Sequence, residues 1–410
     1  MPFRSQLVQR LAVGSATAAA FCVWSSATPA VAVAPSLSRQ IDSALAGSSA
    51  RVVGFRVEIS GLGVVASRNA FAPLPPASTQ KSFVALTALN LLGPTARLKT
   101  TVRGPSVSSD GVLRGPLVLV GSGDPTLSSA DLSVLAGKLR RRGVRIVTGG
   151  LYGDDGLFDR IRAAPGWKAA FTPSEAGPLS ALVVDRNQWR WDPGYLREPV
   201  VGNVSRFRAI LVKAGISVRG ANRRGAPLTP TRLLASHDSA PLSVLVRSML
   251  KDSDNLAAEL LLKRLGATRG FGTTATGLAV VRAHLNSLGV SMGRVADGSG
   301  LSTYDRESPA AEVALLRAAQ TSSSGSALRL SMPVGCVDGT LKRRFCGTAA
   351  ASRVFAKSGT LDYIRVLSGY AITRSGRQVR FAFMLSGCGS GLAARGAIDR
   401  AVVALASYPG

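Results

Sequence analysis

The chain has 410 residues and carries 50 lysines and arginines against 23 acidic residues, a formal net charge of +27. That length allows two or more domains around a sizeable core, and such a charge raises nucleic acid as a first partner. The arginines are scattered rather than striped, and zinc-finger spacing and RNA-binding aromatic signatures are missing, so nucleic acid is not expected.

At the N-terminus Arg4 and Arg10 precede an apolar stretch over 11–24 and then the small residues "ATPAVAVA". A basic region, a short hydrophobic region and an A-x-A-like site predict a secretory signal peptide over 1–34. Bulky Phe21 before Cys22 argues against a lipoprotein site. The apolar stretch is shorter than the roughly 20 residues that span a bilayer. The alternative is retention as a membrane anchor. After cleavage the protein is expected to be exported, periplasmic or extracellular, without a stable transmembrane segment. A basic exported chain suits an anionic cell wall, drawn by long-range attraction that salt weakens.

Residues 51–68, "RVVGFRVEISGLGVVASR", alternate around Gly61 and Gly63 and predict a two-stranded hairpin. Their G-L-G-V-V-A imitates a dinucleotide fingerprint, but no helix pattern follows and no acid occurs until Asp110. Residues 77–92 are apolar nearly all round, the mark of a helix buried on every side. From about 97 to 239 short Val/Leu runs alternate with Gly, Pro and Asp, which predicts an inserted β-rich region. Helical patterns return in "PLSVLVRSML", "DNLAAELLLKRLG" and "GLAVVRAHLNSLG". Three strand patterns follow, "SRVFAKSGTL", "IRVLSGYAIT" and "QVRFAFMLSG", and then a closing helix in "AIDRAVVALASY". The expected architecture is an α/β (α+β) domain made of 35–96 and 240–410, with 97–239 looped out.

Once Cys22 leaves with the signal, Cys336, Cys346 and Cys388 remain. In an oxidising compartment they allow one disulfide and a free thiol. The Asp338-Gly339 turn in "CVDGTLKRRFC" predicts a hairpin that pairs Cys336 with Cys346. His237, read as a loop residue, and His284, read inside an amphipathic helix, are the two histidines; neither neighbours a cysteine, so no metal site is expected.

The chemistry-bearing motifs are three. Ser78-x-x-Lys81 opens the buried helix, in a stretch with no acid between Glu58 and Asp110. The i,i+3 spacing sets the lysine on the serine's face, at the helix end where an anion is favoured. Burial should lower the lysine pKa, and a neutral lysine can take a serine proton. A bland alternative is that Ser78 caps the helix, and Ser248-x-x-Lys251 shows how weak the pattern is alone. Ser253-Asp254-Asn255 begins a helix, where Ser253 or Asp254 could equally be an N-cap. Lys357-Ser358-Gly359-Thr360 falls on a strand, with Lys357 and Gly359 on one face and Gly359 permitting close approach; an edge-strand lysine is the alternative.

In that order the three name the penicillin-recognising serine acyl-transferases. With "LVGSGDPTL", "PLSALVVDRN", "DGSGLS" (297–302) and "VDGTLKRRF", the chain resembles the penicillin-binding protein 4 type of D-alanyl-D-alanine carboxypeptidase/endopeptidase, peptidase family S13, from about residue 40 to its end. The resemblance implies a transpeptidase/β-lactamase-like fold with a five-stranded antiparallel sheet flanked by helices. It implies Ser78 as nucleophile, Lys81 as its base and Ser253 as proton carrier, with Lys357 tuning both. Asn255 would bind the substrate amide, Lys357, Ser358, Gly359 and Thr360 its carboxylate end, and the backbone N–H groups of Ser78 and Thr360 would form the oxyanion hole. No cofactor is implied; peptidoglycan stem peptides are the substrates and β-lactams covalent inhibitors. A β-lactamase or β-lactam sensor is the first alternative, although an E-x-x-L-N-type glutamate is missing. A non-catalytic wall-binding protein is the second.

Overall fold

The computed structural model describes residues 35–187, 197–228 and 231–410; the predicted signal peptide lies outside them. Its central sheet has five antiparallel strands in the order Val354–Leu361, Ile364–Ile372, Gln378–Ser386, Val52–Ile59, Gly63–Arg68. The two ends of the chain therefore meet, with Val57 opposite Phe381 and Phe55 opposite Phe383. The predicted hairpin, the three C-terminal strands and the closing helix, Gly391–Ser407, are all present.

Apolar side chains on both faces of the sheet require helices on both faces. On one side Leu37, Ile41 and Leu45 of the helix Pro35–Ala46 join Ile398, Val402 and Leu405 over Val57, Phe381 and Phe383. On the other a larger core gathers the helices Lys81–Leu92, Leu242–Lys251, Asn255–Gly266, Thr274–Ser287 and Pro309–Thr321. Lys81–Leu92 is buried from Lys81 to Leu89, as its all-round apolar pattern predicts.

Between residues 97 and 239 a second sheet runs Arg232–Asp238, Lys99–Gly104, Leu117–Val120, Leu151–Asp154, Asn222–Arg224. Its last two junctions are parallel. Parallel neighbours need crossovers, and the helix Ser129–Arg141 supplies one, packing with Pro199–Lys213 on the same core. This segment is thus mixed α/β rather than β-rich: short Val/Leu runs reveal strands, while the two amphipathic helices between them, one opened by a Ser128/Asp131 capping box, were overlooked. The stretch after Asp154 leaves the sheet, and its Phe158, Leu179 and Val183 pack on Leu256 and Leu260.

Two smaller expectations are corrected. Cys336 and Cys346 are disulfide-bonded, but across an irregular loop with a single 3-10 turn, Gly339–Leu341, and not a hairpin. His237 sits on the strand Arg232–Asp238, 3.6 Å from Asp131, and not in a loop. Cys388 is a buried free thiol. Among the described residues no helix is long and apolar enough to cross a membrane.

Candidate active site

Ser78 lies in a 3-10 turn, Ala77–Gln80, that leads directly into the α-helix at Lys81. In a 3-10 turn residues i and i+3 eclipse one another, and Lys81 Nζ comes to 2.9 Å from Ser78 Oγ. Two distant glycines back this turn. A Cβ on Gly300 would stand 1.8 Å from the Ala77 carbonyl oxygen, and one on Gly359 would stand 2.8 Å from that of Pro76. The Lys357-Ser358-Gly359 strand, at the edge of the central sheet, therefore lies against the serine turn.

Lys81 is fully buried. Its Nζ also donates to Asn255 Oδ1 at 2.7 Å and to the Ser299 carbonyl at 2.6 Å. Those two oxygens can only accept, so they occupy two N–H groups whatever the charge. The third position faces Ser78: a proton when the lysine is an ammonium, a lone pair when it is an amine. Burial lowers the Lys81 pKa to about 8, against the opposing pull of Asp297, Glu259, Asp254 and Glu175. The acid-free local sequence is therefore only part of its environment, since four carboxylates arrive from other segments.

Asn255 is held on both sides, its Nδ2 donating to the Glu175 carbonyl at 3.2 Å. Asp254, rather than Ser253, caps the helix, accepting from Ala257 N at 3.0 Å and pairing with Arg186. Ser253, at φ +60°, is thereby turned out toward Lys357, whose Nζ donates to Ser253 Oγ at 2.9 Å and to the Ser358 carbonyl at 2.8 Å. Lys357 is fully buried, and that burial, with Lys81 nearby, pushes its pKa well down. Ser358 Oγ is 2.7 Å from Thr340 Oγ1. Thr360 is exposed and lines a cavity of about 1010 Å³ with Lys168, Phe171, Glu175 and Arg306.

The three motifs thus meet in one cleft. Sequence reasoning missed several residues around it. Asp297 accepts from the backbone N–H groups of Gly300 and Ser302 and from Trp167 Nε1. Glu259 accepts from Gly298 N and Ser299 N. The clustered glycines and acid of "DGSGLS" were their visible trace; nothing local marked Trp167 or Glu175, and Thr340 was visible only as part of "VDGTLKRRF".

The profile of the D-Ala-D-Ala carboxypeptidase 3 (S13) family matches residues 37–192 and 197–408. The chain belongs to that family. It is 31% identical to the D-alanyl-D-alanine carboxypeptidase of Actinomadura sp. (strain R39), over 84% of this chain and 79% of that one. It is 28% identical to the carboxypeptidase DacB of Mycolicibacterium smegmatis, over 83% and 77%. In fold this S13 member is similar to penicillin-binding protein 4 (dacB) of Haemophilus influenzae, with a TM-score of 0.82, 21% identity, and 90% and 99% of the two chains covered. A second structure of that protein, in complex with a β-lactam, matches with a TM-score of 0.73 and 23% identity, over 86% and 94%.

Proposed function

We propose that this S13 chain is an exported, wall-associated serine DD-peptidase that hydrolyses D-Ala-D-Ala termini, cross-links, or both in peptidoglycan stem peptides. Residues 35–96 and 240–410 form its catalytic domain and 97–239 the insertion, part of which serves the cleft through Trp167 and Glu175. Ser78 Oγ bonds to the scissile carbonyl carbon while its proton passes to the neutral amine of Lys81. The C–N bond then breaks as Ser253, held by Lys357, passes that proton from Lys81 on to the leaving amine, which leaves Lys81 neutral again. Water cleaves the resulting ester and frees Ser78. Asn255 orients the substrate amide, and Lys357, Ser358, Gly359 and Thr360 hold the terminal carboxylate, whose charge compensates the buried Lys357. The N–H groups of Ser78 and Thr360 receive the oxyanion.

The observation that carries this reading is the Lys81 amine, with two N–H groups tied to oxygens that cannot give a proton and its third position on Ser78. A fluorescent penicillin should label the mature protein covalently and D-alanine should be released from a stem pentapeptide; Ser78→Ala should do neither. Labelling that survives the substitution places the nucleophile elsewhere. The β-lactamase alternative has one observation in its favour: Glu175 Oε2 lies 3.4 Å from Asn255 Nδ2, a carboxylate in the cleft that could serve a deacylating water. An acyl-enzyme lifetime of hours supports the peptidase, one of seconds the lactamase.

A further inference from the structure

Glu259 takes no part in the chemistry above, yet it is fully buried one helical turn beyond Asn255, on the same face of Asn255–Gly266. Both residues reach Lys81. Asn255 does so directly, and Glu259 through one stretch of backbone. Its Oε1 accepts from Gly298 N at 2.9 Å and Ser299 N at 2.8 Å, and the carbonyl of that same Ser299 accepts from Lys81 Nζ at 2.6 Å. Two of the three groups around the Lys81 amine are therefore set by one helix.

We propose that Glu259 is a positioning residue for the Ser78–Lys81 pair, acting through the 298–299 backbone that it clamps and that Lys81 leans on. The inference rests on the serine-peptidase reading and names what makes its base rigid. A buried carboxyl that grips two N–H groups fixes the Ser299 carbonyl far better than an unsupported loop would. Glu259 Oε2 is buried and, among the described residues, faces no donor, which leaves it free to carry a proton. The charged groups around the clamp and its lysine are Asp297 and Asp305 on the loop, Lys81 on the facing helix, Asp254 at the start of its own, Glu175 from the insertion and Lys357 on the edge strand. Burial and Asp297 push Glu259 up to about 8, and its carboxylate form in turn favours the Lys81 ammonium.

Acylation rates by a fluorescent penicillin, measured from pH 6 to 10 on folded protein, test the clamp. Glu259→Gln keeps an acceptor for both N–H groups but never becomes an anion. Its rate above pH 9 should stay within a few-fold of the parent, while the low-pH limb, the rise that Lys81 sets, moves down by several tenths of a pH unit, because the charge that favoured the ammonium is gone. Glu259→Ala should lose roughly 10–100-fold. Gly298→Ala leaves every charge in place but brings a Cβ to 3.1 Å from the Ala258 carbonyl and from Leu262 Cβ, pressing the loop off the helix; it should also slow acylation, and it supplies the answer if Glu259→Ala does not fold. Parental rates and an unshifted limb in these variants overturn the clamp. A parent that is never labelled, or Ser78→Ala that is, strikes the serine-peptidase reading instead.

Discussion

The chain contains two Ser-x-x-Lys sequences, and both lysines end up buried, Lys81 at 0% and Lys251 at 8% exposure. Burial alone therefore does not distinguish them. Ser248 and Lys251 occupy the last turn of Leu242–Lys251, where Ser248 Oγ donates to Asp252 Oδ2 at 3.0 Å and Lys251 pairs with Asp338 while donating to the Met332 carbonyl at 2.8 Å. Its ammonium has a carboxylate in contact. Lys81 has three neutral oxygens in contact and its four acids at a remove. Burial among neutral acceptors disfavours the Lys81 ammonium, whereas Lys251 is paired with a carboxylate. The difference that matters is the partner atom, not the spacing.

Exchange of the lysines tests this most severely. Lys81→Met should lower acylation by at least about 10³-fold with the fold intact. Lys251→Met should acylate at the parental rate and lose about 1–3 kcal/mol of stability through the lost Asp338 pair and the Met332 carbonyl left without its donor, read as a lower denaturation midpoint. Equal loss of acylation in both would erase the distinction.

Gly300→Ala should come next, at roughly 10²-fold in acylation. Its Cβ would meet the Ala77 carbonyl at 1.8 Å, and φ +80° strains any side chain there. Parental acylation would show that the Ser78 turn tolerates displacement.

Lys81, lowered to about 8, predicts that acylation rises about tenfold per pH unit from 6 to 7 and levels above 8, as the neutral form replaces the ammonium. A flat profile over that range would remove Lys81 as the base.

The disulfide joins the two regions, since the 336–346 loop offers Asp338 to Lys251 and Thr340 to Ser358. Reduction should cost about 2–3 kcal/mol of stability and slow acylation only a few-fold, because neither Ser78 nor Lys81 touches the loop. A last effect, on stability alone, concerns Glu307 and Glu312, both raised by burial to about 7 from 4.5. The native state then binds more protons than the unfolded chain between those values, so their stabilisation is full below 4.5 and lost as pH rises through 7. Tm should fall from pH 5 to pH 8, and Glu312→Gln should flatten that fall.

Much of this was legible before folding. Alternation marked Val52–Ile59 and Gly63–Arg68, the three C-terminal strands announced themselves, and an apolar run named Lys81–Leu92 as buried. Ser78, Lys81, Ser253, Asn255 and Lys357 were each visible as residue types in ordered motifs. The Cys336–Cys346 pair was visible too, though its loop was read as a hairpin. The helices within 97–239 and the strand under His237 were not read, because the surrounding Gly, Pro and Asp turn residues and short Val/Leu runs pointed to strands alone.

Side-chain pattern and backbone preference act over a few residues, so they settle which segments become strands, which helix has no wet face, and which serine precedes a lysine by one turn. Charge state and contact act over ångströms between residues 87 to 218 positions apart. Only the folded chain could bring Asn255 and Ser299 to Lys81 and Asp338 to Lys251, and thereby set one amine among neutral oxygens beside a serine and tie the other to a carboxylate, since desolvation and Coulomb energies depend on spatial neighbours and not on sequence neighbours.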